Sequence, residues 1–204
     1  MTNKIFDHFK KLFNDNGFRL YMIGGTSRDF LLKREILDYD FVTDATPDEM
    51  KMFVENGNYV FSKYGCLKVK YESMNLDITT LRKERAYVDS RHPSEIEFTK
   101  DIFEDSKRRD FTVNAIYIDE NYEIHDFYNG VQDLENKIIK IIGDPDTRMK
   151  EDPLRILRAY RFATLYEFEI DKPSYKAMFD NKELIKNLKK EKVLEEINKL
   201  FKSV

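Results

Sequence analysis

"MIGGTSRDFLLKREILDYDFVTDAT" (Met22 to Thr46) decides how the rest of the chain is read. An apolar run enters, Gly24 and Gly25 break it, and a second strand-like run carries Asp38 and Asp40 one residue apart. Alternate side chains of a strand share a face, so the two carboxylates point the same way, roughly 7 Å apart. Like charges that close repel unless a cation joins them. Hard oxygen ligands suit Mg²⁺, which takes one or two carboxylates and fills its shell with water and phosphate oxygens. A solvent-exposed strand end would tolerate the same pair without an ion. The glycines weigh toward the ion, because they let backbone N–H groups approach a phosphate, and the helix start that follows favours an anion. Ser27 and Arg28 open that helix, and the arginine adds a fixed positive charge. A phosphate cradle followed closely by paired carboxylates points to phosphoryl or nucleotidyl transfer, where two ions can clamp attacking and leaving oxygens. Asp77, in the later run "NLDITT", is the natural third carboxylate.

The bulk composition agrees with a folded catalyst. The chain has 204 residues, 41% hydrophobic and 36% charged, which is enough for one large domain or two small ones and too apolar for a disordered tail. No apolar stretch is long enough to span a bilayer, and "MTNKIFDHFKKLF" lacks the uninterrupted apolar core of a signal peptide. The single cysteine, Cys66, excludes an intrachain disulfide, so a reducing, cytoplasmic home is expected. The net charge of −3 is uneven: residues 1–150 carry −5 and residues 151–204 carry +2. The three histidines show no zinc spacing, and no P-loop occurs.

Periodicity predicts an amphipathic helix through Ile5, Phe9, Leu12 and Phe13, stopped by Gly17. Strands are expected at 18–23 and 35–43, and a helix from the Asp44–Pro47 cap to about Asn56. "NYVFS", "CLKVKYE", "NLDITTL", "FTVNAIYID" and "YEIHDF" read as further strands, and 82–98 as a polar, mobile loop. From Pro153 onward the pattern is helical.

Five stretches, the opening one first, follow in order. "GGTSRDFLL…LDYDFVT" resembles the head-domain signature of class II tRNA nucleotidyltransferases, the CCA-adding enzymes, and of related bacterial poly(A) polymerases. "DITTLRKERAYVDSRHPSEIEF" is similar to their strand and flexible loop, "RRDFTVNAIYID" to their nucleotide-sugar motif, "EDPLRILRAYRFA" to their base-reading helix, and "KKEKVLEEINKLF", more loosely, to a later helical motif. The resemblance implies an α+β fold: a polymerase-β-like nucleotidyltransferase head over 1–145, with a mixed sheet and flanking helices, then an all-helical neck over 146–204. Full-length relatives continue into further helical domains. The chain is therefore expected to be a fragment, a compact relative, or half of a complex whose tRNA-binding part lies in missing domains or a second subunit. It implies Mg²⁺ on Asp38 and Asp40, with Asp77 beside them, and the triphosphate on Gly24, Gly25, Ser27 and Arg28. Arg109, Asp110 and Asn114 would hold the ribose. Glu151, Asp152, Arg155 and Arg158 would read the base. Arg82, Glu84, Arg85, Asp89 and Arg91 belong to the loop used in switching from C to A.

The residues supply a physical basis for base choice. Asp152 and Arg155, three apart, neighbour each other on a helix. Aspartate accepts hydrogen bonds and arginine donates them. Cytosine and adenine present an amino donor beside a ring-nitrogen acceptor, whereas guanine and uracil present the reverse. An Asp/Arg pair thus matches CTP and ATP and leaves G and U facing like groups. Asp152 before Pro153 would equally serve as an ordinary helix cap. The expected activity is template-independent addition of C, C and A to a tRNA 3′ end. Poly(A) synthesis, CC-only or A-only addition, and a non-catalytic nucleotide- or RNA-binding module are the alternatives.

Overall fold

A computed structural model describes residues 2–87 and 93–202. It divides into two compact units. The first runs to Glu84 and adds Ile96–Arg108 and Asn114–Phe127; the second takes the described residues from Arg85 to Glu95, with Arg109–Val113 and the chain from Tyr128 onward.

The first unit opens with α1 (Lys4–Asp15), capped by the Asn3 side chain accepting from the Phe6 amide at 3.0 Å. β1 (Leu20–Met22), α2 (Gly24–Leu31), β2 (Asp38–Thr43) and the single turn α3 (Pro47–Met50) follow. After them come β3 (Cys66–Tyr71), β4 (Met74–Thr80), β5 (Arg82–Tyr87), β6 (Pro93–Phe98), α4 (Ile102–Ser106), β7 (Ile116–Ile118) and β8 (Ile124–Asp126). Six strands form one mixed sheet in the order β3-β4-β2-β1-β7-β8. β2 and β4 run parallel, with Asp40 opposite Asp77 and Asp38 opposite Asn75, and the other neighbouring pairs are antiparallel.

Side-chain alternation splits the sheet into two faces. Tyr39, Phe41, Leu67, Val69, Leu76 and Ile78 turn toward Phe6, Phe9 and Phe13 of α1 and form the main core. The residues that alternate with them along each strand are thereby turned to the other side. There Val42 is buried with Tyr21, Ile23, Leu81 and Tyr117, and Asp40 and Asp38 continue the same row. The buried stripe of α1 is Phe6, Phe9 and Phe13, while Ile5 and Leu12 flank it partly buried. Phe41 lies at centroid distances of 5.6 Å from Phe6 and 6.2 Å from Phe9. Phe41→Ala is expected to lose about 3–5 kcal/mol through the cavity it leaves, read as a lowered urea midpoint at constant m-value.

Some local expectations are corrected. The Asp44–Asn56 helix is one turn only, capped by Thr46 in a capping box with Glu49; Asp44 instead accepts from the Arg19 amide at 2.8 Å. "NYVFS" makes a single bridge, Asn58 to Lys68, because the Asn58 side chain folds back to the Val60 amide at 3.0 Å and turns the chain. "FTVNAIYID" holds a short 3₁₀ turn (Thr112–Asn114) before its strand. Within 82–98, the described residues form the paired strands β5 and β6; Asp89 and Arg91 lie outside the described residues.

In the second unit, α5 (Gly130–Glu135) and β9 (Ile138–Ile139) lead to α6 (Pro145–Glu151), α7 (Leu154–Tyr166), β10 (Glu169–Ile170), α8 (Lys172–Asp180) and α9 (Lys190–Lys202). The short β10 pairs in parallel with β9 and so interrupts an otherwise helical segment. Asp144 and Asp171 cap α6 and α8, each with a proline in the first turn. Phe111, Ile139, Met149, Ile156, Ala159, Phe162 and Met178 are buried. Among the described residues, no helix is long and apolar enough to cross a membrane.

Candidate active site

In the first unit, α2 and β2 are sutured together. The Asp40 amide donates to the Thr26 hydroxyl at 2.6 Å, the Ile23 amide to the Asp40 carbonyl at 3.2 Å, and the Gly25 amide to Asp40 Oδ2 at 3.3 Å. The helix N-terminus therefore points its amide dipoles at the Asp40 carboxylate. Glycine is needed here on two counts. Gly24 has φ +62°, and a Cβ on it would stand 3.3 Å from Asp40 Oδ2; one on Gly25 would stand 3.4 Å away. Gly24→Ala is expected to cost about 1–2 kcal/mol in backbone strain and crowding, measured by urea denaturation. Asp38, at the exposed start of β2, takes Asn75 Nδ2 at 3.4 Å.

Arg28 and Asn114, 86 residues apart in sequence, meet here. The buried guanidinium donates to Asn114 Oδ1 at 2.6 Å and lies 3.5 Å from Asp29. Ser27 is fully buried and donates to the Gly24 carbonyl at 3.3 Å, which tightens the turn. Asp77 stands beside Asp40 in register, but both its oxygens take the Lys68 ammonium, each at 2.8 Å. That bond pushes the Lys68 pKa up; burial opposes it, and the charges of Asp77, Cys66 and, last, Asp40 add to it. Among the described residues, no three His, Cys, Asp or Glu side chains gather in a form that could hold a metal ion.

At the root of the β5–β6 ribbon, Arg82 is bonded to Glu84 (2.7 Å), to the Tyr64 carbonyl and, through its amide, to Asp105 Oδ1 at 3.0 Å. Fully buried Asp105 also takes Arg108 at 2.9 Å and the Tyr117 hydroxyl at 2.7 Å. Burial and the like charge of Arg108 hold the Arg82 guanidinium below its usual pKa, against the pull of Glu84. Arg85 lies in β5.

The second unit carries the other predicted residues. Arg158 Nε and Nη2 both donate to Asp110 Oδ2, at 2.8 and 2.6 Å. Burial would lower the Arg158 pKa, yet Asp110, then Glu196 and Asp152, raise it overall. Glu196 on α9 is buried between Arg161 (2.8 Å) and Arg158 (3.8 Å). Burial would lift its pKa, but Lys199, Arg158 and Arg161 hold it below the usual value. Buried Arg155 donates to the Arg148 carbonyl at 2.6 Å and reaches Glu151 at 3.3 Å. Arg148 itself binds Glu151 (2.6 Å) and the Arg109 carbonyl (2.7 Å). Asp152 is extended (φ −145°, ψ 95°) between α6 and α7, so, contrary to expectation, it does not share a helix with Arg155, and its Oδ1 accepts from the Leu154 amide at 3.0 Å.

A family model described as the poly A polymerase head domain matches residues 20–140, more than half of the chain. The chain belongs to the poly A polymerase head-domain family. A second model, described as a probable RNA and SrmB-binding site of polymerase A, matches residues 167–203. The CCA-adding enzyme of Staphylococcus epidermidis is 40% identical over 204 residues, covering 98% of this chain and 51% of that protein. That of Staphylococcus saprophyticus is 37% identical over 203 residues, with the same two coverages. Among solved structures, the Bacillus stearothermophilus CCA-adding enzyme in complex with CTP has a TM-score of 0.88 at 30% identity, over 98% of this chain and 49% of that one. A tRNA nucleotidyltransferase complexed with a primer tRNA and an incoming ATP analogue has a TM-score of 0.74 at 29% identity, over 93% of this chain and 54% of that one. The chain spans about half the length of the curated relatives it matches.

Within this poly A polymerase head-domain chain, sequence reasoning missed Thr26, Lys68, Asp105, Arg148 and Glu196. Thr26 sits inside the quoted "GGTSRD" and could have been found by asking what fixes the Asp40 backbone. Lys68 faces Asp77 only through strand register, and Asp105 and Glu196 declare themselves only by burial beside arginines.

Proposed function

We propose that this chain is the nucleotidyl-transfer portion of an enzyme that adds C, C and A, from CTP and ATP, to the 3′ end of tRNA without a nucleic-acid template. The observation that carries the proposal is the Asp38–Asp40 pair on one face of β2, with the α2 N-terminus and two glycines closed against Asp40. The CCA-adding names of the relatives, and the CTP, primer tRNA and ATP analogue bound by the solved ones, support the choice of substrates. In this proposal residues 1–145 are the head and 146–204 the neck, and the substrate is the cytoplasmic tRNA pool.

The donor set fits Mg²⁺. Two hard carboxylates share a face, and the absence of a Cβ on Gly24 and Gly25 keeps the space beside Asp40 Oδ2 uncrowded. Asp38 and Asp40 would hold the ion, with Asp77 as the adjacent acidic group; when bound, the ion supplies charge neutralisation for the triphosphate and for the primer 3′ hydroxyl that attacks the α-phosphate. The chain's own groups do the rest. The α2 amides and the buried Arg28 charge steady the triphosphate as pyrophosphate leaves. Ser27 keeps the turn in shape. Asn114 orients Arg28, and Asp110, fixed by Arg158, accepts from a ribose hydroxyl beside Arg109. Asp152 accepts from the amino group of C or A while Arg155 donates to the ring nitrogen, with Glu151 holding Arg155 in place. Arg82, Glu84 and Arg85 lie on β5 and, with Asp89 and Arg91, serve the switch from C to A addition.

The test is uptake of labelled CTP and ATP onto a tRNA lacking its last three nucleotides, with Mg²⁺ and abundant primer. The expected result is C, C, A and then a stop. Repeated A addition to any RNA from ATP alone would indicate poly(A) synthesis instead, and nucleotide binding without transfer on any primer would indicate a binding module.

A further inference from the structure

We propose that Lys68 locks Asp77 out of the divalent-ion site, so that two carboxylates set its ion affinity and the ion arrives with the triphosphate. The inference rests on the metal-dependent function proposed above. Register puts Asp40, Asp77 and Lys68 side by side on β2, β4 and β3. Leu67, Val69, Leu76, Ile78, Tyr39 and Phe41 are committed to the opposite face, so the three polar side chains share the catalytic one. A third carboxylate one strand away would normally strengthen a divalent site, since ligand charge count tunes affinity. Here both Asp77 oxygens already bond to one ammonium, and no three acidic, His or Cys side chains gather among the described residues. The lock is built from a half-exposed side chain on a strand whose backbone is separately tied, by the Asn58 and Lys68 amides and carbonyls at 2.8 and 3.2 Å. Its removal should therefore leave the fold intact. An ion with only Asp38 and Asp40 binds weakly until phosphate oxygens add to its shell, which couples ion binding to nucleotide binding.

The experiment measures Mn²⁺ affinity of the nucleotide-free 204-residue chain by electron paramagnetic resonance of the free ion, with thermal melts confirming the fold of each variant. Lys68→Gln is expected to tighten Mn²⁺ about tenfold by releasing Asp77. Lys70→Gln removes the same charge two residues along the strand, opposite Asn75, and is expected to change affinity less than about threefold. Lys68→Arg keeps the lock and the wild-type affinity. Adding Asp77→Asn to Lys68→Gln should bring affinity back to within about twofold of wild type, because the two changes are coupled. Tightening by Lys68→Gln that merely equals that of Lys70→Gln, or that survives Asp77→Asn, overturns the proposal. The metal reading is tested separately by Asp40→Asn. If that variant binds Mn²⁺ like the wild type, the metal reading itself fails. If it loses Mn²⁺ while Lys68→Gln changes nothing, only the lock fails.

Discussion

Asp40→Asn is expected to lower nucleotide transfer by about 10³-fold and to weaken Mg²⁺-dependent CTP binding, while stability changes little. The asparagine oxygen can still accept the Gly25 amide, and the backbone bonds of Asp40 to Thr26 and Ile23 are untouched. What disappears is one unit of negative charge aimed at the place where the triphosphate must be neutralised, and in a partly closed site such a charge is worth several kcal/mol to the transition state. Asp38→Asn should follow in the same direction. Asp77→Asn should cost much less, because Lys68 already occupies both Asp77 oxygens. Single-turnover transfer of one C onto primer tRNA separates these cases from defects in binding or release.

Asp152→Asn is expected to reduce the preference for CTP over UTP by about 10²-fold. Alanine at this position would confuse the outcome, since it removes the hydrogen bond to the Leu154 amide at a cost of about 1 kcal/mol. Asparagine keeps an oxygen for the Leu154 amide and converts the other acceptor into a donor. Cytosine then meets donor against donor, whereas the uracil carbonyl gains a partner and only its ring N–H still opposes Arg155. Arg155 is the poorer probe: it is buried, and its loss strands the Arg148 carbonyl that it satisfies. Offering each nucleoside triphosphate singly and comparing kcat/KM gives the ratio directly.

Much of this architecture was legible because the chemistry is local. The spacing of Asp38 and Asp40 within a strand-like run fixed their common face, and Gly24 and Gly25 announced the strand-to-helix turn. The five ordered stretches led to the family and to the mixed α+β fold that the comparisons bear out. Helix lengths and strand edges were less legible. α3 stops after one turn as its backbone bonds tighten to the i,i+3 pattern, Met52 to Glu49 and Phe53 to Met50, a local geometry that propensity does not carry. The β5–β6 ribbon reads as loop because its sequence is polar and charged; buried Asp105 accepts from the Arg82 amide where β5 begins. Nor could the sequence indicate that Arg158 pairs with Asp110, 48 residues away, or that Lys68 neutralises Asp77 across two strands. Such partners depend on register and burial, which appear only once the chain is folded.

The most direct test is the anomalous diffraction of Mn²⁺ in crystals of this chain soaked with a non-transferable CTP analogue. A peak within about 2.0–2.4 Å of carboxylate oxygens of both Asp38 and Asp40, shared with a phosphate oxygen, is the predicted result. A bound analogue with no peak at that pair, or with its ion held away from Asp40, would contradict the account.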